Sequence, residues 1–271
     1  MKMNSPGGPG AIAAPFLLLA AILLSMAVSR AQSTNSLSDA EIQGQQLVQR
    51  ISEQLAQQPA GSSTSTGVLR IRGSNGARSE LSLECVTTVT DTNWQIVYAA
   101  SSTNHTLTLR VVHAVNQPNS YFYTNPVPEL GDIPLIGHLY QRNLQNQLSG
   151  AEIMASFAGS DFAMGDLGLE FLTWPRQKVL KKEIHRSCGC SVLESTNPNP
   201  VPNGYSRVVS WIDNDTLGIV EAYAYDAHGR KIKDFYPKDF KKVDGHWQVL
   251  TLEMENLQTD SRSRLEFNPK Q

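Results

Sequence analysis

The sequence contains no G-x-S-x-G elbow, Walker loop, H-E-x-x-H, C-x-x-C or dinucleotide fingerprint. Each of those motifs carries a defined chemistry on a defined turn or helix, so their absence weakens the case for an enzyme. The chain also lacks a basic block or a stripe of aromatics with arginine. Nothing in it is arranged to neutralise a phosphate backbone, which speaks against nucleic acid as a partner. There is no internal repeat, and cysteine is scarce, at three residues in 271. None of the three lies near Ala31, so a lipidation site there is not expected.

What is present begins with Lys2, an apolar run from Ala11 to Val28, and Ser29-Arg30-Ala31 as small-residue exit. A run of this length approaches the thickness of a bilayer core. Pro15 and the exit favour cleavage instead, so residues 1–31 are expected to be a secretory signal peptide. Without Lys2 and Arg30 the 23 basic residues become 21, against 25 acidic ones. A soluble, mildly acidic, periplasmic and monomeric protein is the expectation, with no cofactor.

In an exported chain, three cysteines invite one disulfide and one free thiol. Cys85 shares a strand face with Leu81 and Leu83, whereas Cys188 and Cys190 are two residues apart. A bond from Cys85 to either would clamp distant strands, a Cys188–Cys190 bond would close a small strained ring, and buried reduced thiols are the third possibility.

Ser38 and Glu41 form a capping box ahead of Ala40, Leu47, Val48, Ile51 and Leu55 at helical spacing, which predicts a helix from about Asp39 to Gln57. Pro59 ends it, and Ala60 to Gly67 reads as a flexible linker; residues 32–67 are thus an N-terminal helix and linker before a single domain, 68–271. The period then becomes two, over Val68–Arg72, Glu80–Val89, Asn93–Ala100 and Thr106–His113, with strands resuming from Lys178 to Phe267. Between them, residues 114–150 carry Pro118, Pro126, Pro128 and Pro134 and then a helical pattern from Leu135 to Leu148. So long a connection suggests a lid, or a helix packed on the sheet. A short helix is expected over Asp166–Thr173. The fold class is mainly β with helices (α+β): a strongly curved antiparallel sheet of about eleven strands, an incomplete barrel, covered by two or three helices.

Few residues suggest chemistry. Ser160 beside Asp161 resembles a nucleophile pair, but no histidine adjoins it and Ser-Asp equally suits a cap or turn. His185, Cys188 and Cys190 have ligand types suited to copper or zinc, although only three are local. Asp213, Asp215 and Asp226 flank a hairpin where calcium takes oxygen ligands, and solvated turn acids explain them as well. No metal site is assigned. The remaining signal is apolar: Trp94, Ile96 and Tyr98, Leu107 and Leu109, Val209 and Trp211, and Leu250, Leu252 and Met254. A curved sheet uses such faces either as a core under helices or as a cavity for acyl chains.

Phe157 to Trp174 reads FAGSDFAMGDLGLEFLTW. It is followed by Tyr205-Ser206-Arg207, Ser210-Trp211-Ile212-Asp213, Asp226 with Gly229 and Lys233, and Gly245-His246-Trp247 leading to Glu253-Met254-Glu255-Asn256. In order and spacing this set, over roughly residues 150–267, resembles the outer-membrane lipoprotein-sorting proteins, LolA/LolB-like carriers in their broader LolA-like branch. The resemblance implies an incomplete barrel whose apolar cavity holds acyl chains of lipoproteins or other lipids. It also implies a passive carrier without enzymatic activity, an inner-membrane transporter upstream and an outer-membrane acceptor downstream. An envelope-stress sensor of the same architecture is the alternative, and an exported hydrolase a third. Pro-rich 114–150 and the Cys-Gly-Cys turn depart from the classical carriers, and no classical cavity arginine maps onto this chain.

Overall fold

The alternating segments become strands of one antiparallel sheet in the computed structural model, which describes residues 37–56, 60–90, 93–114, 117–124, 146–243 and 246–268. Leu37–Gln271 forms one compact unit. Everything described lies in it. After helix α1 (Asp39–Ala56) come β1 (Gly61–Arg72), β2 (Arg78–Val89), β3 (Asn93–Ser101), β4 (Thr106–Ala114), β5 (Ser120–Thr124) and β6 (Asn146–Leu148). A 3-10 turn (Gly150–Met154), helix α2 (Met164–Leu167) and a second 3-10 turn (Glu170–Thr173) separate these from β7 (Arg176–His185), β8 (Cys188–Thr196), β9 (Arg207–Asp213), β10 (Ile219–Tyr225), β11 (Lys231–Val243), β12 (His246–Asn256) and β13 (Ser261–Phe267).

The spatial order is β6-β5-β4-β3-β2-β1-β13-β12-β11-β10-β9-β8-β7. Two meanders therefore meet at the β1–β13 pair, while among the described residues β6 and β7 are edges and the sheet is open. Direct partners share a face, so Ile71, Ser263, Met254, Phe235, Ala222, Ser210 and Leu193 form one row across seven strands. Tyr121 of β5 and Phe235 of β11 pack into one cluster although six strands separate them in the order. The sheet thus curls around a plug made of Phe157, Phe162, Met164 and Leu167.

Helix α1 starts as its capping box predicts. Ser38 N–H donates to Glu41 at 2.8 Å and Glu41 N–H to Ser38 Oγ at 3.4 Å. Its Leu47 and Ile51 bury against Val179, Leu193 and Ile212, each worth about 1.5–3 kcal/mol of apolar burial. Gly44 lets the helix lie on β7, because a Cβ there would stand 2.4 Å from the Gln177 carbonyl carbon.

Three expectations are corrected. Residues 61–66, read as linker, are the first half of β1 and pair with Glu84–Val89 of β2, so backbone pairing overrides a Ser/Thr composition. The 114–150 segment is not wholly lid or helix: 120–124 and 146–148 add β5 and β6, and Leu148 sits on a strand opposite Tyr121. Residues 115–116 and 125–145 of that segment fall outside the described residues. The short helix is two pieces, broken where Leu169 takes a left-handed φ of 49°.

Candidate functional site

The sequence Phe157-Ala158-Gly159-Ser160 turns sharply, with φ of 51° at Ala158 and 73° at Gly159. Phe157 N–H donates to the Phe162 carbonyl at 2.9 Å and Ser160 Oγ donates back to Phe157 O at 2.6 Å. That bond occupies the Ser160 hydroxyl, and no histidine touches it among its hydrogen bonds. The turn aims both phenylalanines into the concave face, each with no exposed surface.

Polar side chains bolt this plug to strands far apart in sequence. The Asp161 carboxylate accepts from Ser261 at 2.5 Å and Ser263 at 2.7 Å, both on β13. Its carbonyl accepts from Lys233 Nζ of β11 at 2.5 Å. Asp166 accepts from Ala163 N–H at 2.7 Å and the Tyr205 hydroxyl at 2.9 Å, and Lys233 Nζ stands 3.6 Å away. Burial raises the Asp166 carboxyl, with the Lys233 charge pulling the other way. The Tyr205 phenol is pushed well up by burial and by that same carboxylate. On the other side Tyr98 donates to Leu167 O at 3.2 Å and Tyr121 to Glu170 at 2.8 Å. Asp161, Asp166, Tyr205 and Lys233, all within the motif set read from sequence, thus converge as fasteners.

Beside this network a cavity of about 20 Å³ lies between Phe171, Val208, Ala224 and Met254, room for about one water. The plug fills the centre of the concave face. Toward the ends of β2–β5, in contrast, that face is only half-buried at Cys85, Val89, Trp94, Ile96 and Tyr123. There Trp94 stacks on His113.

The apolar candidates divide between the two faces. Ile96, Tyr98, Leu109, Leu252 and Met254 pack in the central concave cluster, register puts Trp94 and Leu107 on the same face, and Leu250 falls at the irregular stretch of the β11–β12 pairing. Val209 and Trp211 lie on the opposite face, because their neighbours Val208 and Ile212 take the core side. Trp211 instead stacks on His185 at 4.7 Å and donates to Glu183 at 2.7 Å.

No disulfide forms among the three cysteines. Cys85 lies on β2 and Cys188 and Cys190 on β8, with six strands between them in the sheet order, and no disulfide links them. His185 Nε2 meets Glu221 at 2.5 Å, and among the described residues no three His, Cys, Asp or Glu side chains converge to hold a metal. Asp213 and Asp226 stand at opposite ends of β10, seven residues long, hence roughly 23 Å apart. Asp213 caps its turn through Thr216 at 2.6 Å and Asp226 binds Arg230 Nε at 2.7 Å.

Sequence reasoning missed a groove on the face away from the plug, lined by Arg70, Arg72, Arg78, Arg262 and Arg264. The alternation of arginine in Arg70-Ile71-Arg72 and Arg262-Ser263-Arg264 was its only local signal.

A family model described as an uncharacterized protein matches residues 141–270. No curated protein matches the chain. The chain is similar in structure to a DUF1329 family protein from Desulfovibrio piger, at 20% identity and TM-score 0.66 over 85% of this chain and 92% of that one. It is similar to a putative outer membrane lipoprotein-sorting protein domain from Vibrio parahaemolyticus, at 18% identity and TM-score 0.65 over 84% and 92%. A LolA superfamily protein from Nitrosomonas europaea aligns at 16% identity and TM-score 0.55 over 83% and 91%. At such identities the likeness is one of fold.

Proposed function

We propose, from the premise that this chain has the LolA-like fold, that it is a non-enzymatic periplasmic protein that holds acyl chains, of lipoproteins or other lipids, for outer-membrane sorting. One observation carries the reading: the concave apolar face runs past the plug into a half-buried stretch at Cys85, Trp94, Ile96 and Tyr123. Each methylene laid there leaves water with a gain of ~0.8 kcal/mol, and no covalent step is needed. The engagement of Ser160, Asp161 and Asp166 in structural hydrogen bonds supports a non-catalytic role. An inner-membrane transporter and an outer-membrane acceptor would then supply and receive the cargo.

The filled centre, with its cavity of about 20 Å³, favours a second reading, an envelope sensor that binds lipid or lipoprotein without transporting it. Extraction of lipid from the purified protein and titration with a fluorescent fatty acid test acyl binding. Ile96→Asp should weaken the probe at least tenfold, because a carboxylate in an apolar site costs several kcal/mol. A wild-type protein that ignores the probe and yields no lipid would sink both readings. Transfer between donor and acceptor vesicles separates carrier from sensor.

A further inference from the structure

Antiparallel pairing places two rows of charged side chains side by side on the face away from the plug. One row reads Glu80, Arg70, Arg264, Glu253 across β2, β1, β13 and β12. Its arginines are satisfied: Arg70 pairs with Glu80 and also with Glu266 at 2.8 Å, and Arg264 with Glu253. The next row reads Arg78, Arg72, Arg262, Glu255. Here three guanidiniums stand directly opposite one another, where like charges destabilise a sheet. Only Arg262 has carboxylate partners, Glu253 and Glu255. Arg72 and Arg78 have none among the described residues and are exposed.

The arginines line a groove of about 280 Å³ in which Glu80 is the one carboxylate. Their guanidiniums stay open to solute, with Arg70, Arg262 and Arg264 at 44%, 38% and 33% exposure. Directly opposed residues stand about 5 Å apart at Cβ, so the three-arginine row spans on the order of 10 Å. That matches one compact anion rather than a polymer track. A guanidinium presents a planar fork of donors that grips oxyanions in pairs. A carboxylate offers two oxygens and satisfies one fork, whereas a phosphate offers oxygens to several forks at once.

We propose that this groove is a phosphate-binding site, taking the phosphate of a phospholipid headgroup or a free phosphate. The charge imbalance between adjacent rows is the feature that a bound phosphate anion would relieve. The site is on the face opposite the proposed acyl surface and does not depend on it.

The test uses the full folded protein without its residues 1–31, the double variant Arg72→Gln/Arg78→Gln, and a control of equal charge change, Lys178→Gln/Lys182→Gln on β7. Inorganic phosphate is titrated by calorimetry, and binding to phosphatidylcholine vesicles is compared with and without phosphatidylglycerol. Wild type and control should bind phosphate, or the anionic vesicles, at least tenfold more tightly than the arginine variant, with binding weakening as salt is raised. Binding of free phosphate assigns the site to soluble phosphate; binding only of anionic vesicles assigns it to a headgroup. Thermal unfolding without ligand controls for folding, since loss of like-charge contacts should leave the variant at least as stable. No binding in either arm, or equal weakening in variant and control, overturns the proposal. Fatty-acid probe affinity should be the same in all three proteins, so this site and the acyl surface succeed or fail independently.

Discussion

The imidazole of His113 lies flat on the indole of Trp94, with ring centroids 3.5 Å apart and planes 10° from parallel. Its Nε2 is buried without a hydrogen-bond partner. Burial lowers its pKa from 6.5 to about 4, against a small opposing pull from Asn119. The folded state therefore binds fewer protons than the unfolded state between those values, and stability falls as pH drops from 6.5 to 4. The loss is on the order of 3 kcal/mol at one pKa unit per 1.36 kcal/mol. His113→Phe keeps the stacking and removes both the titration and the orphaned nitrogen. Urea unfolding at pH 7, 5.5 and 4 should show the wild type losing stability relative to this variant across the window. Parallel curves would overturn the assignment.

Asp161 accepts hydroxyls from two β13 serines while Ser160 makes one local bond, so the adjacent residues should differ sharply in importance. Asp161→Ala removes the carboxylate that accepts from Ser261 and Ser263 and unfastens the plug, at a cost of about 2–4 kcal/mol for two charge-assisted bonds. Ser160→Ala should cost about 1 kcal/mol. Urea denaturation gives both numbers, and an equal or reversed ranking would contradict a fastening role for the aspartate.

The parts of this molecule legible in sequence are those fixed by near neighbours. The Ser38–Glu41 box marked the start of α1, and alternation marked most strands, because both patterns repeat within a few residues. Face assignment failed at Val209 and Trp211, where apolar residues occupy both faces of β9 and period two cannot choose between them. The first half of β1 was hidden because Gly61 to Thr66 has turn composition and gains strand structure only from its partner β2. Asp161 reads locally as a turn residue, and its partners stand about a hundred positions away, at 261 and 263. The arginine groove is non-local in the same way, since Arg72 meets Arg262 only through the β1–β13 pairing that joins the meanders.

Gly44 faces the β7 backbone so closely that a Cβ would stand 2.4 Å from Gln177 C and 2.5 Å from Gln177 O. Alanine is the better helix former by about 1 kcal/mol. The clash is with backbone and cannot be relieved by a rotamer, so Gly44→Ala should lift α1 off Val179 and Leu193. A net loss of about 1–3 kcal/mol is expected. A higher melting temperature in this variant would show that the helix is free to shift on the sheet.

The β7–β8 hairpin turns on Arg186 and Ser187, whose φ values of 48° and 67° are those of a type I′ turn. Neither residue favours that region, where Asn-Gly is the usual choice. Ser187→Gly should stabilise the protein by about 0.5–1 kcal/mol, because glycine removes the Cβ penalty. Arg186→Asn relieves similar strain but also withdraws the guanidinium that stands 2.7 Å from Glu221, a carboxylate only 5% exposed. A buried carboxylate left short of a charged partner costs about 1–3 kcal/mol, which outweighs the relief. The two substitutions should therefore move the melting temperature in opposite directions, Ser187→Gly upward and Arg186→Asn downward. Upward shifts from both would mean that the Arg186–Glu221 contact contributes less than the strain of the turn that presents it.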